Sequence, residues 1–360
     1  MRSFPLRCST LGLSLLLATF VAATADLSSD PRLQKFLTKF PDADSNQDGT
    51  LSLEEARQYK KDNPKEAKPY QDDLNPRKIL TSHRYSIDDL AKVFDAKTFK
   101  DLPYRFFKPD TNGDNKYPLI LSLHGAGGRG SDNLKNLKFW NGTITEPDFQ
   151  SQYPSFVLVP HSPSYWRIPG SVPDLDAETI ASFTRTWQEA AAEGRRAFVT
   201  KTPQGKLGLV FELLDVLLEE YPIDPDRIYV LGHSMGGFGT FEALAEHPDR
   251  FAAAIPSAGG LSPWHDPAVF KDVPVWAFHG DQDETVPIAL ALDVFDQIKA
   301  ARGNMKLTTL GGVGHGASGF AFSYQGDHSN PEFSTALSSP ACDPTENVWT
   351  WLFAQSRKDR

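Results

Sequence analysis

The chain has 360 residues, enough for two domains, and its contents of 40% hydrophobic and 23% charged residues are ordinary for a globular protein. Its net charge of −9 and the lack of a run of lysine and arginine argue against a nucleic-acid-binding surface. Internal repeats and long low-complexity tracts are absent from the sequence.

Residues 1–25 have the pattern of an export signal. Two arginines precede an apolar run from Leu11 to Val21, and Ala23-Thr24-Ala25 supplies small residues for cleavage. The apolar run is too short to span a bilayer, so we expect an exported protein, secreted or periplasmic, without a membrane span. Cys8 would leave with the signal, and Cys342 would then have no partner for an internal disulfide.

Residues 26–75 form a separate polar and charged unit. Its central stretch, Asp44 to Glu55, matches the pattern D-x-[DN]-x-[DN]-G-x5-E, and apolar residues at helical spacing flank it on both sides. Calcium requires several hard oxygen ligands around a sharply turned loop, and Gly49 makes the turn. The stretch resembles an EF-hand, in which the ligands would be Asp44, Asn46, Asp48, the carbonyl of Thr50, Ser52 or a water on it, and bidentate Glu55.

The alternative for this loop is a solvated acidic turn that binds nothing. EF-hands usually pair, and the sequence contains no second loop of this kind. A lone hand predicts weak binding, with a Kd of about 10⁻⁴ to 10⁻³ M. We expect calcium to stabilise the unit and to have no part in catalysis.

Residues 76–96 are predicted to be a linker, and residues 97–360 a second domain in which strands alternate with helices. This alternation predicts an α/β fold with a mostly parallel central sheet flanked by helices. The predicted strands are 102–107, 117–123, 156–160, 228–231, 251–256, 273–279 and a final strand 306–310, and the clearest helices are 207–221, 235–246 and 347–355.

The motif Gly232-His-Ser-Met-Gly236 lies between a predicted strand and a predicted helix. A lone G-x-S-x-G frame occurs by chance in many glycine-rich loops, but a strand before it and a helix after it indicate a nucleophile elbow. The elbow places Ser234 at a helix N-terminus, where backbone N–H groups favour negative charge.

The last two predicted strands end in loops that carry an acid and a histidine. Ser234 is followed by Asp281, Asp283 and Glu284 in one loop and by His315 in the next, which is the order serine, acid, histidine. A serine hydroxyl needs a base, imidazole is that base, and a carboxylate fixes its tautomer. The residues alone leave the choice among the three acids open.

Residues from about 100 to 355 resemble the α/β-hydrolase superfamily, and within it the exported carboxylesterases of the polyhydroxybutyrate-depolymerase and feruloyl-esterase type. The resemblance lies in four motifs: Tyr117-Pro-Leu-Ile-Leu-Ser-Leu-His-Gly-Ala-Gly127, Asp226-Arg-Ile-Tyr-Val with Gly-His-Ser-Met-Gly-Gly237, His279-Gly-Asp-Gln-Asp-Glu-Thr-Val-Pro287 and Gly314-His-Gly316. It implies that Asp283 is the triad acid. It also implies that the oxyanion donors are the backbone N–H groups of Ala126 and Met235, with the N–H of Gly127 as the alternative to that of Ala126.

The sequence therefore predicts a serine esterase in which Ser234 attacks an ester carbonyl, His315 takes its proton and Asp283 orients His315. The expected substrates are small-molecule or polysaccharide-linked esters, and no cofactor is needed for catalysis. The alternatives are a lipase or thioesterase, a peptidase of the prolyl-oligopeptidase type, and a calcium-dependent binding module on an inactive hydrolase scaffold. The region before Leu102 is short for a propeller-gated peptidase.

Several aromatic and histidine residues adjoin these motifs. His124, His233 and His279 are expected to pack beside the site rather than bind a metal. Tyr165 and Trp166 are expected either to wall the substrate site or to pack in the core.

The long segment Ala317 to Thr345 separates His315 from the closing helix. Loops of this length are usually functional or mobile. We expect either a cap over the site, in which Phe320, Phe322 and Tyr324 contact substrate, or a surface excursion.

Overall fold

The computed structural model describes residues 31–63, 85–113, 115–167, 205–326 and 332–360. The predicted export signal and residues 76–84 of the predicted linker lie outside these ranges, so the export signal stays a prediction. Among the described residues, no helix is long and apolar enough to cross a membrane.

The N-terminal unit consists of two helices around the acidic loop. Helix α1 spans Pro31–Lys39, a short 3-10 turn spans Pro41–Ala43, and helix α2 spans Leu53–Asp62. Their apolar side chains form a small core of their own, made of Leu33, Phe36, Phe40, Ala43, Leu51 and Ala56, with Leu37 and Tyr59 packed against it.

The rest of the described chain is built on one nine-stranded sheet with the strand order β1-β2-β4-β3-β5-β6-β7-β8-β9. In chain order the strands are β1 Asp95–Phe99, β2 Leu102–Phe107, β3 Tyr117–Leu123, β4 Phe156–Pro160, β5 Ile223–His233, β6 Ala253–Ser257, β7 Val275–Gly280, β8 Met305–Leu310 and β9 Phe333–Leu337. The helices are α3 Ile87–Val93, α4 Phe139–Thr143, α5 Pro147–Gln152, α6 Leu207–Glu220, α7 Met235–Glu246, α8 Ala289–Ala300, α9 Ser318–Ala321 and α10 Val348–Phe353.

The centre of the sheet is parallel and its two ends are antiparallel. Neighbours from β4 through β8 pair in parallel, whereas β1, β2 and β9 join by antiparallel pairing. Every residue of β3, β4, β6 and β7 is buried, as expected for parallel strands covered on both faces. Leu119 and Leu121 enter the core on one face and Ile120 the core on the other. The predicted α/β class with a mostly parallel sheet is confirmed.

The part of the predicted linker that the structure describes is not a linker. Residues 87–93 form helix α3, and Leu90 and Phe94 are buried in the same core as the sheet residues Ile120 and Val157. Strand β1 begins at Asp95. Leu90 lies within a helix of only two turns and Phe94 directly follows that helix, a pattern too short to stand out in a charged segment.

The prediction that strand 306–310 is the last strand is wrong. Strand β9 follows it and pairs antiparallel with β8. All but one of the β9 side chains are exposed, and the segment is only five residues long, so it lacks the apolar alternation by which a half-buried strand is recognised.

The aromatic residues of segment 317–345 differ in their environments. Phe322 and Tyr324 are almost fully buried, Phe322 against Trp140 and Tyr324 against Trp276, so they belong to the core and form no cap. Phe320 is partly buried and meets Phe333 edge-on at 5.3 Å between ring centroids.

Candidate active site

Ser234 stands in the sharp turn between β5 and α7. Its backbone has φ 59° and ψ −120°, a conformation that side-chain-bearing residues rarely adopt and that costs on the order of 1–3 kcal/mol. Its N–H donates to the carbonyl of Ser257 at the end of β6, at 2.9 Å. A Cβ at Gly236 would overlap the carbonyl oxygen of Leu123 at the end of β3, so the close packing of helix α7 on the sheet requires glycine there.

His315, in the loop after β8, lies between the serine and a carboxylate. Its Nε2 is 2.8 Å from Ser234 Oγ and its Nδ1 is 2.7 Å from Asp283 Oδ2. The carboxylate can only accept, so Nδ1 carries the hydrogen and the Nε2 lone pair faces the serine hydroxyl. This is the tautomer that can remove a proton from Ser234.

Asp283 is held by more groups than His315 alone. Its Oδ1 accepts from the backbone N–H groups of Thr285 and Val286, both at 2.8 Å. The ring of His279, whose Nε2–H donates to the Val286 carbonyl at 2.8 Å, lies 3.5 Å from Oδ2. Burial raises the pKa of Asp283, but hydrogen bonds from His279 and His315, with the charge of His315, outweigh burial and hold the pKa well below its usual range. The side chain is therefore a carboxylate in the folded protein.

Asp281, the rival acid, has a different position. It is exposed, and its Oδ1 accepts from the N–H of Gly312 at 2.8 Å, which links the loop after β7 to the loop after β8. Of the two aspartates, the structure therefore brings Asp283 to His315, in agreement with the residue that the family resemblance implied.

The loop after β3 lies against the elbow and carries the first predicted oxyanion donor. A Cβ on Gly125 would be 3.5 Å from Ser234 Cβ and 3.2 Å from the carbonyl of His233. Ala126 begins a 3-10 turn, Ala126–Gly128, and Met235 begins helix α7. In the described part of the chain neither N–H donates to a backbone acceptor, as is usual for the first residues of a helix.

Two further residues support the site. The ring of His233 lies 4.9 Å from the His315 ring, and its Nδ1 is 3.2 Å from Ser257 Oγ. Burial lowers the pKa of His233 to about 3, so this ring stays neutral beside His315. Sequence reasoning missed Ser257. Ser257 could have been found, because it ends the strand that lies beside the elbow strand and must therefore lie close to the elbow.

Trp166 is a packing residue. It is buried, and a Cβ on Gly239 of α7 would overlap its side chain. Its indole N–H donates to the carbonyl of His124 at 2.9 Å. Tyr165 is half-buried near two guanidinium groups, with the Cζ atoms of Arg129 and Arg167 5.7 and 5.8 Å from its ring centroid.

The predicted calcium loop is closed by its own carboxylates. Asp44 Oδ2 accepts from the Gly49 N–H at 2.9 Å, and Gly49 has φ +81°, which favours glycine. Glu55 reaches across the loop: Oε1 accepts from the Asn46 N–H at 3.2 Å and Oε2 from the Ser52 hydroxyl at 2.7 Å. Hydrogen bonds to Ser52, from its hydroxyl and its backbone N–H, lower the pKa of Glu55.

The remaining predicted ligands lie in the same loop. Asp48 Oδ1 accepts from the N–H of Thr50 at 2.8 Å, and the N–H of Asp48 donates to Asn46 Oδ1 at 2.9 Å. All six predicted ligands offer oxygen atoms, five of them from the loop between α1 and α2 and Glu55 from the first turn of α2, and such an all-oxygen set is the type that suits Ca²⁺.

Comparisons with known proteins find relatives among hydrolases. The model of the prolyl oligopeptidase family matches residues 200–264, which include the elbow. A bifunctional acetylxylan esterase/xylanase of Neocallimastix patriciarum is 30% identical over 148 residues, 36% of this chain and 20% of that protein. A poly(3-hydroxyalkanoate) depolymerase of Paucimonas lemoignei is 42% identical over 57 residues, 16% of this chain and 14% of that protein.

A solved structure extends the likeness over most of the chain. A thermostable esterase has 31% sequence identity and a TM-score of 0.55, over 74% of this chain and 64% of its own. With the sheet order, this likeness confirms the predicted α/β-hydrolase fold. The chain spans only a fifth or less of the length of the two relatives above.

Proposed function

We propose that this α/β-hydrolase is a serine hydrolase that cleaves carboxylic esters through an acyl-enzyme on Ser234. The observation that carries the proposal is the pair of contacts from His315, 2.8 Å to Ser234 Oγ and 2.7 Å to Asp283 Oδ2. These contacts lie within the 2.6–3.2 Å range, roughly, that proton transfer from a nucleophile to a base requires.

In the proposed reaction, Ser234 Oγ forms a bond to the acyl carbon while its proton passes to His315 Nε2. The C–O bond to the alcohol then breaks, and the alcohol leaves with the proton from Nε2. Water repeats the sequence on the acyl-enzyme, so the acid is released and Ser234 recovers its proton. Asp283 stays ionised throughout and stabilises the imidazolium.

Negative charge on the carbonyl oxygen needs donors on the same side as the elbow. We assign this task to the N–H groups of Ala126 and Met235. The loop that carries Ala126 touches the elbow at Gly125, and Met235 opens the helix that Ser234 precedes. One such donor contributes on the order of 3 kcal/mol to the transition state.

For the substrate we propose an ester linked to a small molecule or to a polysaccharide. The support is similarity to an acetylxylan esterase/xylanase and to a thermostable esterase. A peptidase is the second candidate, because residues 200–264 match the prolyl oligopeptidase family. That match covers the elbow and its helix, which both kinds of hydrolase need, and therefore favours neither strongly.

For the acidic loop we propose structural calcium, held by the carboxylates of Asp44, Asp48 and Glu55, the Asn46 amide, the Thr50 carbonyl and Ser52. A bound ion would replace hydrogen bonds that now cross the loop and would tie α1 to α2. No step of ester hydrolysis involves this loop.

The test combines labelling with a substrate panel. We expect a fluorophosphonate probe to label the wild type on Ser234, and Ser234→Ala to abolish both labelling and hydrolysis of p-nitrophenyl acetate with an unchanged melting temperature. The panel adds p-nitrophenyl butyrate and palmitate, methyl ferulate, acetylated xylan and a succinyl-Gly-Pro-p-nitroanilide peptide. Near wild-type turnover by Ser234→Ala would exclude the proposed nucleophile, and cleavage of the anilide with no ester turnover would assign the peptidase class.

A further inference from the structure

We propose that His124 is a positioning residue that aims the Ala126 N–H at the oxyanion by holding the carbonyl group of the same peptide. The inference rests on the proposed function, because it gives Ala126 its role as oxyanion donor. It assigns a specific task to the side chain of a histidine that the sequence placed beside the site without a defined role.

The hydrogen bonds of His124 define its tautomer. Its Nε2 is 3.0 Å from the backbone nitrogen of Ser162, and that N–H can only donate, so Nε2 is the acceptor. The hydrogen of the neutral ring is then on Nδ1, which lies 2.9 Å from the carbonyl oxygen of Gly125. Nδ1–H therefore donates to this carbonyl.

The Gly125 carbonyl and the Ala126 N–H belong to one peptide group. In a planar trans peptide the C=O and N–H bonds point in opposite directions, so fixing the oxygen fixes the hydrogen. A second donor, the Gly128 N–H at 2.9 Å, closes the 3-10 turn on the same oxygen. Without the His124 bond, that turn alone would hold the peptide, in a loop where Ala126 and Gly127 are exposed.

The ring is kept rigid and neutral. It is fully buried, its edge packs against Trp166 at 4.8 Å between centroids, and the Trp166 indole holds its backbone carbonyl. Burial lowers the pKa of His124 to about 3, so the donor on Nδ1 persists at any pH at which the enzyme would work.

Three substitutions separate positioning from packing. In His124→Asn the amide nitrogen takes the place of Nδ1 and can still donate to Gly125. His124→Gln places its amide near Nε2 and loses that donor, and His124→Phe keeps the ring and loses both nitrogens. The matched control is His161→Phe, because His161 Nε2–H donates to the Gly128 carbonyl of the same loop at 2.8 Å but holds a different peptide.

The readouts are kcat and KM for p-nitrophenyl acetate, the Ki of an alkyl trifluoromethyl ketone, and active-site titration with a fluorophosphonate to count folded sites. We expect His124→Phe to lower kcat by about 10²-fold, with KM within about twofold and Ki weakened by a similar factor as kcat, because a misaimed oxyanion donor affects only the transition state. His124→Asn should recover most of the loss and His124→Gln should not.

Several outcomes would overturn the inference. They are a kcat of His124→Phe within threefold of wild type, an equal loss in His161→Phe, a loss that appears in KM alone, or equal activity of the Asn and Gln variants. If His124→Phe does not fold, the comparison of Asn with Gln decides. A wild type without esterase activity would instead defeat the proposed function, whereas an active wild type with unaffected His124 variants would defeat this inference alone.

Discussion

Substitution of Asp283 by asparagine tests the triad most directly, because the surroundings of the side chain dictate how the amide must sit. Asp283 Oδ1 accepts from the N–H groups of Thr285 and Val286, and these donors need an acceptor after the substitution. The amide oxygen would take that position. The amide NH₂ would then take the place of Oδ2, which is 2.7 Å from His315 Nδ1.

A donor at that position forces the wrong tautomer on the base. Nδ1 would have to accept, and the ring hydrogen would move to Nε2, which faces Ser234 Oγ at 2.8 Å. Nε2 could then no longer take the serine proton. In a Ser-His-Asp site this change lowers kcat by about 10⁴-fold, equivalent to about 5.4 kcal/mol in the activation barrier.

The assay is steady-state hydrolysis of p-nitrophenyl acetate, with the melting temperature as a check of folding and Asp281→Asn as the matched control. Asp281 is exposed, and its acceptor to the Gly312 N–H survives as an amide oxygen, so we expect activity within about a factor of two of wild type. Asp283→Asn with more than a tenth of wild-type kcat, or a larger loss in Asp281→Asn, would show that the tautomer argument is wrong.

Two further predictions concern stability. Calcium at millimolar concentration should stabilise the N-terminal unit by less than about 2.7 kcal/mol and so raise its melting temperature, Glu55→Gln should remove the effect, and EDTA should leave kcat unchanged. Calorimetric titration without calcium uptake, or turnover lost in EDTA and restored by calcium, would contradict this. The free energy of unfolding should fall as the pH is lowered from about 6.5 toward 3, by up to about 1.4 kcal/mol per pH unit for each of His124 and His233. In this window the two histidines bind protons in the unfolded chain, whereas their buried rings stay neutral in the folded protein. Urea unfolding at pH 7.5, 6.5, 5.5 and 4.5 measures it, and a flat profile would mean that these rings are accessible to protons.

The sequence alone predicted the parts of this protein whose signals are local. The buried parallel strands appear as continuous apolar runs. The turn at Ser234 between a strand and a helix requires glycines, and these can be read directly from the sequence. The pattern of the acidic loop is contained within twelve residues, which is why its candidate calcium ligands could be named one by one as a prediction. The order of serine, acid and histidine indicated a triad, since loops at the carboxyl ends of parallel strands meet at one edge of the sheet.

Tertiary structure decided what depends on contacts between distant segments. Asp281 and Asp283 are two residues apart in a similar sequence environment, and only packing against the loop after β8 sends one to Gly312 and the other to His315. Strand β9 exists because β8 offers it an edge, since its own side chains are mostly exposed and carry no apolar pattern.

The same reason applies to the buried groups around the site. Phe322 and Tyr324 are core residues because Trp140 and Trp276 lie opposite them, which no local pattern can show. The tautomer of His124 is set by the N–H of Ser162, which lies 38 residues away in the sequence. Hydrogen-bond partners and pKa values depend on which atoms surround a group in space, and sequence patterns report reliably only on neighbours within a few residues along the chain.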